Sequence, residues 1–297
     1  MSAYQRLVEF RRAQPRTPRL DRQTVRARGI EFAVFSTPPV TDRLPLLAIN
    51  GGMLFDHSML WPALAPLAVA RQIILFDLRG RGDSSEPANP ASATIEEDAA
   101  DVSGIRRALG IRRWDLLGHS WGGGIAMLAA ASDQAATRRL VLVDAVGATS
   151  EWIPELRRNA LQRLEGEERK RLERIDEQAL TSPDPEIHAE QTQAIYPAWF
   201  ADHDLATRFS LPKIINQTGT AVLARLRAQH YDWRRELRAL RTPTLVLHGA
   251  LDPLPIETSR ALARLISHAQ HAVIPDAGHM PFWEAPDVFF PLVKKFL

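Results

Sequence analysis

Six apolar runs recur along the chain, and none of them alternates with polar residues. They read "LPLLAIN" (44–50), "QIILFD" (72–77), "WDLLG" (114–118), "RRLVLVD" (138–144), "TPTLVLHG" (242–249) and "HAVIPDAGH" (271–279). A strand with one wet face alternates; a continuous run means a strand covered on both faces, which is the pattern of a parallel sheet. Parallel neighbours need crossover connections, and helix signals fall where these belong. Thr94-Ile95-Glu96-Glu97 forms a capping box that opens a helix ending near Gly110. "GIAMLAAAS" is small and apolar enough to pack hard on a sheet. Thr258 to Ile266 forms another helix, and the chain closes on "DVFFPLVKKFL". The early "QTVRARGIEFAVFS" reads as an antiparallel hairpin at one sheet edge. The fold class is α/β, with a mostly parallel sheet flanked by helices.

The segment 147–237 breaks this pattern. It holds no strand-like run, only charged helical stretches with scattered aromatics such as Trp152, Trp199 and Tyr231. It is expected to be a helical cap inserted between two strands of one core, the core being 1–146 and 238–297. A chain of 297 residues has the length for such a core. It contains no cysteine, which excludes disulfides, thiolate metal sites and a cysteine nucleophile. The net charge of +2 is not a basic patch: acids lie among the arginines, as in "EGEERKRLERIDEQ", so no nucleic-acid partner is expected. The N-terminal stretch is broken by charges and no later run is long enough to span a bilayer, so no membrane partner and a cytoplasmic address are expected.

One turn carries the chemistry. "LLGHSWGGGIAM" (116–127) runs from a strand through Gly118-His119-Ser120-Trp121-Gly122 into a helix. A serine at such a junction can simply cap the helix. A cap, however, needs no glycine upstream. Glycines two before and two after are what a sharp strand–turn–helix requires when it presents Ser120 as a nucleophile.

A serine nucleophile needs a general base. His279 follows the last strand on a loop, at the carboxyl end of a parallel sheet, where catalytic side chains converge. His119 adjoins Ser120 but points elsewhere on a sharp turn, and His248 ends a strand and reads as packed. His188, His203, His230 and His268 read as solvated. Asp252 is preferred as the acid that orients His279, in the chain order Ser…Asp…His, with Asp144 its rival; Asp276 more simply braces the His279 loop. The oxyanion hole is assigned to the N–H of Trp121 and to that of Gly52, with Met53 next in line. Met53, His57 and Trp199 are the candidates for lining the substrate pocket.

These features together resemble the α/β-hydrolase fold family, from about Val25 to Leu297. "GHSWGG", "DLRGRGDSS" and "GHMPFWEAP" are similar to the proline iminopeptidase branch and related serine esterases. The resemblance implies an eight-stranded, mostly parallel sheet under a helical cap and a Ser120–Asp252–His279 triad, with no cofactor and no metal. Haloalkane dehalogenases and epoxide hydrolases share the fold but have an aspartate where Ser120 stands, which disfavours both. The iminopeptidase branch has His-Gly-Gly-Pro-Gly at the oxyanion loop, where this chain reads Asn50-Gly51-Gly52-Met53-Leu54. Asparagine can serve there as a hydrogen-bonding brace, but the altered wall puts aminopeptidase specificity in doubt. Recognition of a free amine would also require cap carboxylates aimed at the site, from among Glu190, Asp202 and Asp204. The expected function is cleavage of a small carboxylic ester or amide through an acyl-enzyme, on a small-molecule or short-peptide substrate. An iminopeptidase-like aminopeptidase is the alternative. A carbon–carbon bond hydrolase and a non-catalytic binding protein stand further back.

Overall fold

The structure, a computed structural model, describes residues 2–209 and 211–297. Eight strands form one sheet: β1 (Asp21–Ala27), β2 (Ile30–Ser36), β3 (Leu46–Ile49), β4 (Ile73–Phe76), β5 (Trp114–His119), β6 (Thr137–Val143), β7 (Thr244–Gly249) and β8 (Ala269–Ile274). Their order is β1-β2-β4-β3-β5-β6-β7-β8. The hairpin β1–β2 turns at Arg28 and Gly29, both with positive φ, and β2 runs antiparallel to β4. From β4 to β8 every pairing is parallel.

The helices are α1 (Ala3–Arg12), α2 (Ile95–Ala108), α3 (Trp121–Ser132), α4 (Ile153–Arg163), α5 (Gly166–Glu173) and α6 (Pro185–Ile195), followed by α7 (His203–Arg208), α8 (Gln217–Ala228), α9 (Arg234–Arg238), α10 (Ile256–Leu265), α11 (Pro281–Glu284) and α12 (Pro286–Phe296). None of these helices is long and apolar enough to cross a membrane.

Every residue of β3, β4, β5 and β7 is buried, as continuous apolar runs require. The alternating side chains of these central strands, β6 among them, divide between two cores. Leu47, Ile49, Ile74, Phe76, Leu116 and Leu142 pack with residues of α2 and α3; Leu46, Ala48, Ile73, Leu75, Leu117 and Val143 pack with α11 and α12. The edge strand β8 buries only Ile274. On α3 the small residues do what their size allows: a Cβ on Gly123 would strike Ala145 on the chain after β6.

The α2 N-terminus departs from the sequence reading in one respect. Thr94 Oγ1 accepts from the Glu97 N–H at 3.1 Å, which is half of a capping box. The reciprocal half is absent because the Glu97 carboxylate is drawn off by Arg28, at 2.6 Å.

Between β6 and β7 the described residues of 147–237 contain helices and no strand. These helices have a small apolar cluster of their own, around Ala160, Leu172 and Ile195. Much of their burial is instead against the sheet layers, through Trp152, Leu223 and Trp233 on one side and Phe200 and Leu205 on the other. They lie over the carboxyl ends of the strands, where residues from both parts line one cavity.

Candidate active site

Ser120 sits between β5 and α3 with φ 54° and ψ −121°, a backbone conformation that L-residues rarely adopt. Such strain costs about 1–3 kcal/mol and persists only where neighbours over-determine it. Here the Ser120 N–H donates to the Val143 carbonyl at 3.0 Å, and its own carbonyl accepts from Gly123 at 2.9 Å and Val146 at 3.2 Å. The Ser120 side chain makes no capping bond to α3. The helix-cap reading of this serine is therefore set aside by its geometry.

The flanking glycines are needed for contact, not for flexibility alone. A Cβ on Gly118 would strike the Gly122 carbonyl, and one on Gly122 would strike the carbonyls of Ile49 and Asn50. One on Gly51 would lie 2.5 Å from the Ser120 Cβ, so the loop after β3 rests directly on the serine. Gly122→Ala is accordingly expected to cost about 3 kcal/mol, the upper range for overpacking against atoms that cannot yield. Gly110→Ala, at φ 68° with open space around it, should cost about 1 kcal/mol. Urea titration of both variants checks this, and equal midpoints would contradict the packing argument.

His279 is buried beneath the segment that ends in Phe200. Its N–H donates to the Trp199 carbonyl at 2.7 Å, and its ring lies 5.4 Å from that of Trp199. Its Nδ1 is 2.8 Å from Asp252 Oδ2, while Asp252 Oδ1 accepts from the Leu254 N–H at 2.9 Å. Burial pulls the His279 pKa down from the usual imidazole value, and the charges of Asp144 and Glu284 oppose this. Asp144 is the near neighbour that the sequence put forward as a rival. Its Oδ1 accepts from the Gly249 N–H at 2.7 Å, and its Oδ2 has no hydrogen-bond partner among the described residues. A carboxylate oxygen of Asp144, one of Asp252 and a ring nitrogen of His279 all lie within 4.8 Å of one another. Burial pushes both carboxyls upward, Asp144 well above the carboxylate range. Charge on the pair is best held by Asp252, where the His279 ring and the Leu254 N–H both donate.

The other candidates fall out as follows. Gly52 and Trp121 line the same cavity as Ser120 and His279, and neither N–H donates to any group among the described residues. Gly52 has φ 69°, and a Cβ there would enter the Phe55 ring. Asn50 braces this loop, its Nδ2 donating to the carbonyls of Gly51 and Phe55, each at 3.2 Å. Trp199 lines the cavity.

Met53 and His57 do not line it, contrary to expectation. Met53 is packed into the core, 1% exposed, with its carbonyl accepting from Arg81 Nε at 2.9 Å. His57 is stacked on Phe35 at 3.6 Å and engages Asp77 through Nδ1 at 2.8 Å. Asp56, His57 and Asp77 are close enough together to suggest a metal site. The carboxylates are already committed: Asp77 accepts from the N–H groups of His57 and Asp83, and Asp56 accepts from Ser58. His119 turns away from Ser120, its Nε2 donating to the His279 carbonyl at 2.8 Å; burial lowers its pKa to about 3. His188 is buried rather than solvated, its Nε2 2.9 Å from the Ser182 carbonyl. Asp276 faces outward to Arg6, at 3.6 Å.

The insert contributes most of the remaining lining, including Trp152, Leu156, Gln191, Ile195, Leu223 and Arg227. No local pattern in α4, α6 or α8 marks these positions, because which face of each helix meets the cavity is set by packing on the core.

The arrangement is one that can perform acyl transfer: a serine on a strained turn, an imidazole oriented by a carboxylate, and two free backbone N–H groups beside them. A sequence model of the alpha/beta hydrolase fold matches residues 45–286. Proline iminopeptidase of Heyndrickxia coagulans is 23% identical over 271 residues, covering 85% of this chain and 90% of that protein. The 2-hydroxymuconate semialdehyde hydrolase of Pseudomonas putida is 31% identical over 230 residues, 76% of this chain and 77% of that one. Among solved structures, a thermophilic esterase from Thermogutta terrifontis superposes with a TM-score of 0.64 at 28% identity, covering 93% of this chain and 97% of that chain.

Proposed function

The chain belongs to the α/β-hydrolase fold family, and on that premise we propose that it is a serine hydrolase of small carboxylic esters or amides working through an acyl-enzyme. The observation that carries this reading is the Asp252–His279 hydrogen bond at a cavity shared with Ser120. With Nδ1 donating to Asp252, the imidazole tautomer leaves Nε2 as the acceptor for the Ser120 proton. Ser120 Oγ attacks the carbonyl carbon, and the oxyanion forms between the N–H groups of Gly52 and Trp121. His279 then returns the proton to the leaving alcohol or amine. A water, deprotonated by His279 in turn, releases the acid.

In this reading 147–237 is the cap, closing a core of 1–146 and 238–297. A cytoplasmic address is part of this proposal, and a chain without cysteine is compatible with a reducing compartment.

The aminopeptidase alternative lacks a feature it needs. No carboxylate lines the cavity among the described residues. Glu190 is bonded to Arg171, Asp202 caps α7, and Asp204 is exposed. Carbon–carbon bond hydrolysis is the second reading, favoured by the 31% identity to a 2-hydroxymuconate semialdehyde hydrolase.

Purified protein assayed on a short-chain nitrophenyl ester is expected to show a nitrophenolate burst followed by steady turnover, with little cleavage of a prolyl arylamide. His279 must be neutral to act as base, so kcat/KM should rise with pH through its pKa and then level off. Burial lowers that pKa, so the midpoint should fall below about 6.5. A limb above pH 9, or an arylamide preferred to the ester, would overturn the proposal.

A further inference from the structure

Apart from His279, the cavity at Ser120 is lined by one titratable side chain among the described residues, and it is a cation. Arg227 enters from the last turn of α8, among apolar neighbours such as Trp152, Leu156, Ile195 and Leu223. Its guanidinium has five N–H donors. Among the described residues only one is used: Nη2 donates to Gln191 Oε1 at 3.1 Å.

Arg227 is partly buried, and the contrast with the chain's buried arginines is direct. Arg71 meets Asp115 at 2.6 Å, Arg79 meets Asp101 at 2.5 Å, and Arg81 meets Asp98 at 2.9 Å. Glu177 acts on Arg227 from a distance but is held by Arg157, 2.7 Å from its Nε, and the Arg157 charge opposes that of Arg227. Burial brings the Arg227 pKa down to about 10, which leaves it cationic at neutral pH. A partly desolvated cation with no counter-ion in contact among the described residues is a ready partner for an anion from outside the chain.

The arginine is also held in position. The Asn216 side chain caps α8 and donates to the Gly80 carbonyl at 2.7 Å, and Thr218 Oγ1 bonds Glu86. Gly219 lets the helix press onto the Met53 carbonyl, where a Cβ would collide. Gln191 is 7% exposed and orients one edge of the guanidinium. Such support fixes a recognition group before the ligand arrives.

We infer that the substrate is a short ester or amide carrying a carboxylate, bound by Arg227 with Gln191 beside it while its reacting carbonyl lies at Ser120. A carboxylate fits better than a phosphate, because one guanidinium matches a single negative charge; its fork then holds both carboxylate oxygens, as it could hold two of a phosphate. The cavity, about 80 Å³, also favours a small acid. This deepens the serine-hydrolase reading and rests on it.

The test has two arms. Monoethyl succinate and its neutral isostere ethyl 4-methylpentanoate are compared by pH-stat. The wild-type kcat/KM is expected to favour the acidic ester at least tenfold. In Arg227→Met that ratio should fall at least tenfold, mainly through KM, and Arg227→Lys should restore part of it. In the second arm succinate is titrated calorimetrically onto Ser120→Ala protein, with and without Arg227→Met. Its Kd is expected to rise at least tenfold when the arginine is removed. If Arg227→Met does not fold, Arg227→Lys serves in its place, with a threefold or greater loss expected because the fork is gone. Unchanged selectivity, or unchanged succinate affinity, overturns the inference. Succinate binding through Arg227 without turnover of either ester would overturn the hydrolase reading and leave the anion site standing.

Discussion

Ser120→Ala is expected to lower kcat on a short-chain ester by about 10⁶-fold while leaving the fold intact. Both halves follow from the turn. The hydroxyl makes no capping bond to α3, so its removal costs that helix nothing. Alanine carries the same Cβ at the same φ of 54°, so the backbone strain is unchanged too. What is lost is the attacking oxygen. Any remaining rate would come from the Gly52 and Trp121 N–H groups and from binding, worth about 10³–10⁴ over water in serine proteases. A fluorophosphonate probe should label wild-type protein at Ser120 alone and the variant not at all. Undiminished turnover in a Ser120→Ala protein with a native melting profile would remove the nucleophile from the proposal.

The second large effect separates two carboxylates a few ångströms apart. Asp252→Asn should cost about 10⁴ in kcat, because an amide facing His279 Nδ1 favours the wrong tautomer and withdraws the charge that offsets the imidazolium. Asp144→Asn should cost far less. Its Oδ1 already has a structural partner in the Gly249 N–H, and an asparagine oxygen keeps that bond. It also lies 3.5 Å from His248 Nδ1, a histidine whose Nε2 is bound to the Leu254 carbonyl. The pH profile gives an independent check: loss of the Asp252 charge should move the midpoint of residual activity to lower pH, since less negative charge stabilises the imidazolium. If the two losses in kcat come out reversed, Asp144 is the acid.

Chain order could not make that distinction, since both Ser120…Asp144…His279 and Ser120…Asp252…His279 satisfy it. The sheet makes it. Asp144 follows β6 and Asp252 follows β7, and it is Asp252 whose loop reaches the His279 ring after β8. The two errors in the pocket, Met53 and His57, have a related origin. Both stand close to Gly51-Gly52 in sequence. But the loop turns at Gly52, φ 69°, and carries Met53 down onto Arg81 and His57 across to Phe35 and Asp77.

What the sequence determined by itself was local in its physics. A strand buried on both faces has to be apolar without interruption, so β3 to β7 are visible as runs. A serine on a strained turn needs Cβ-free neighbours, so Gly118 and Gly122 announce it in one pentapeptide. A loop histidine after the last strand, His279, needs only the count of strands to be found. The tertiary structure alone decided which distant groups share the cavity. His279 meets Asp252 and rests under Trp199, a residue eighty positions earlier in the chain. Arg227 reaches the cavity of Ser120 because α8 is capped onto the Gly80 loop and pressed against Met53. Those contacts depend on how each helix is rotated and seated against residues a hundred or more positions away, and one helix's own periodicity does not encode that choice. The proposed machinery is therefore written in short motifs, while the carboxylate that meets His279 and the arginine that enters the cavity are set by tertiary packing.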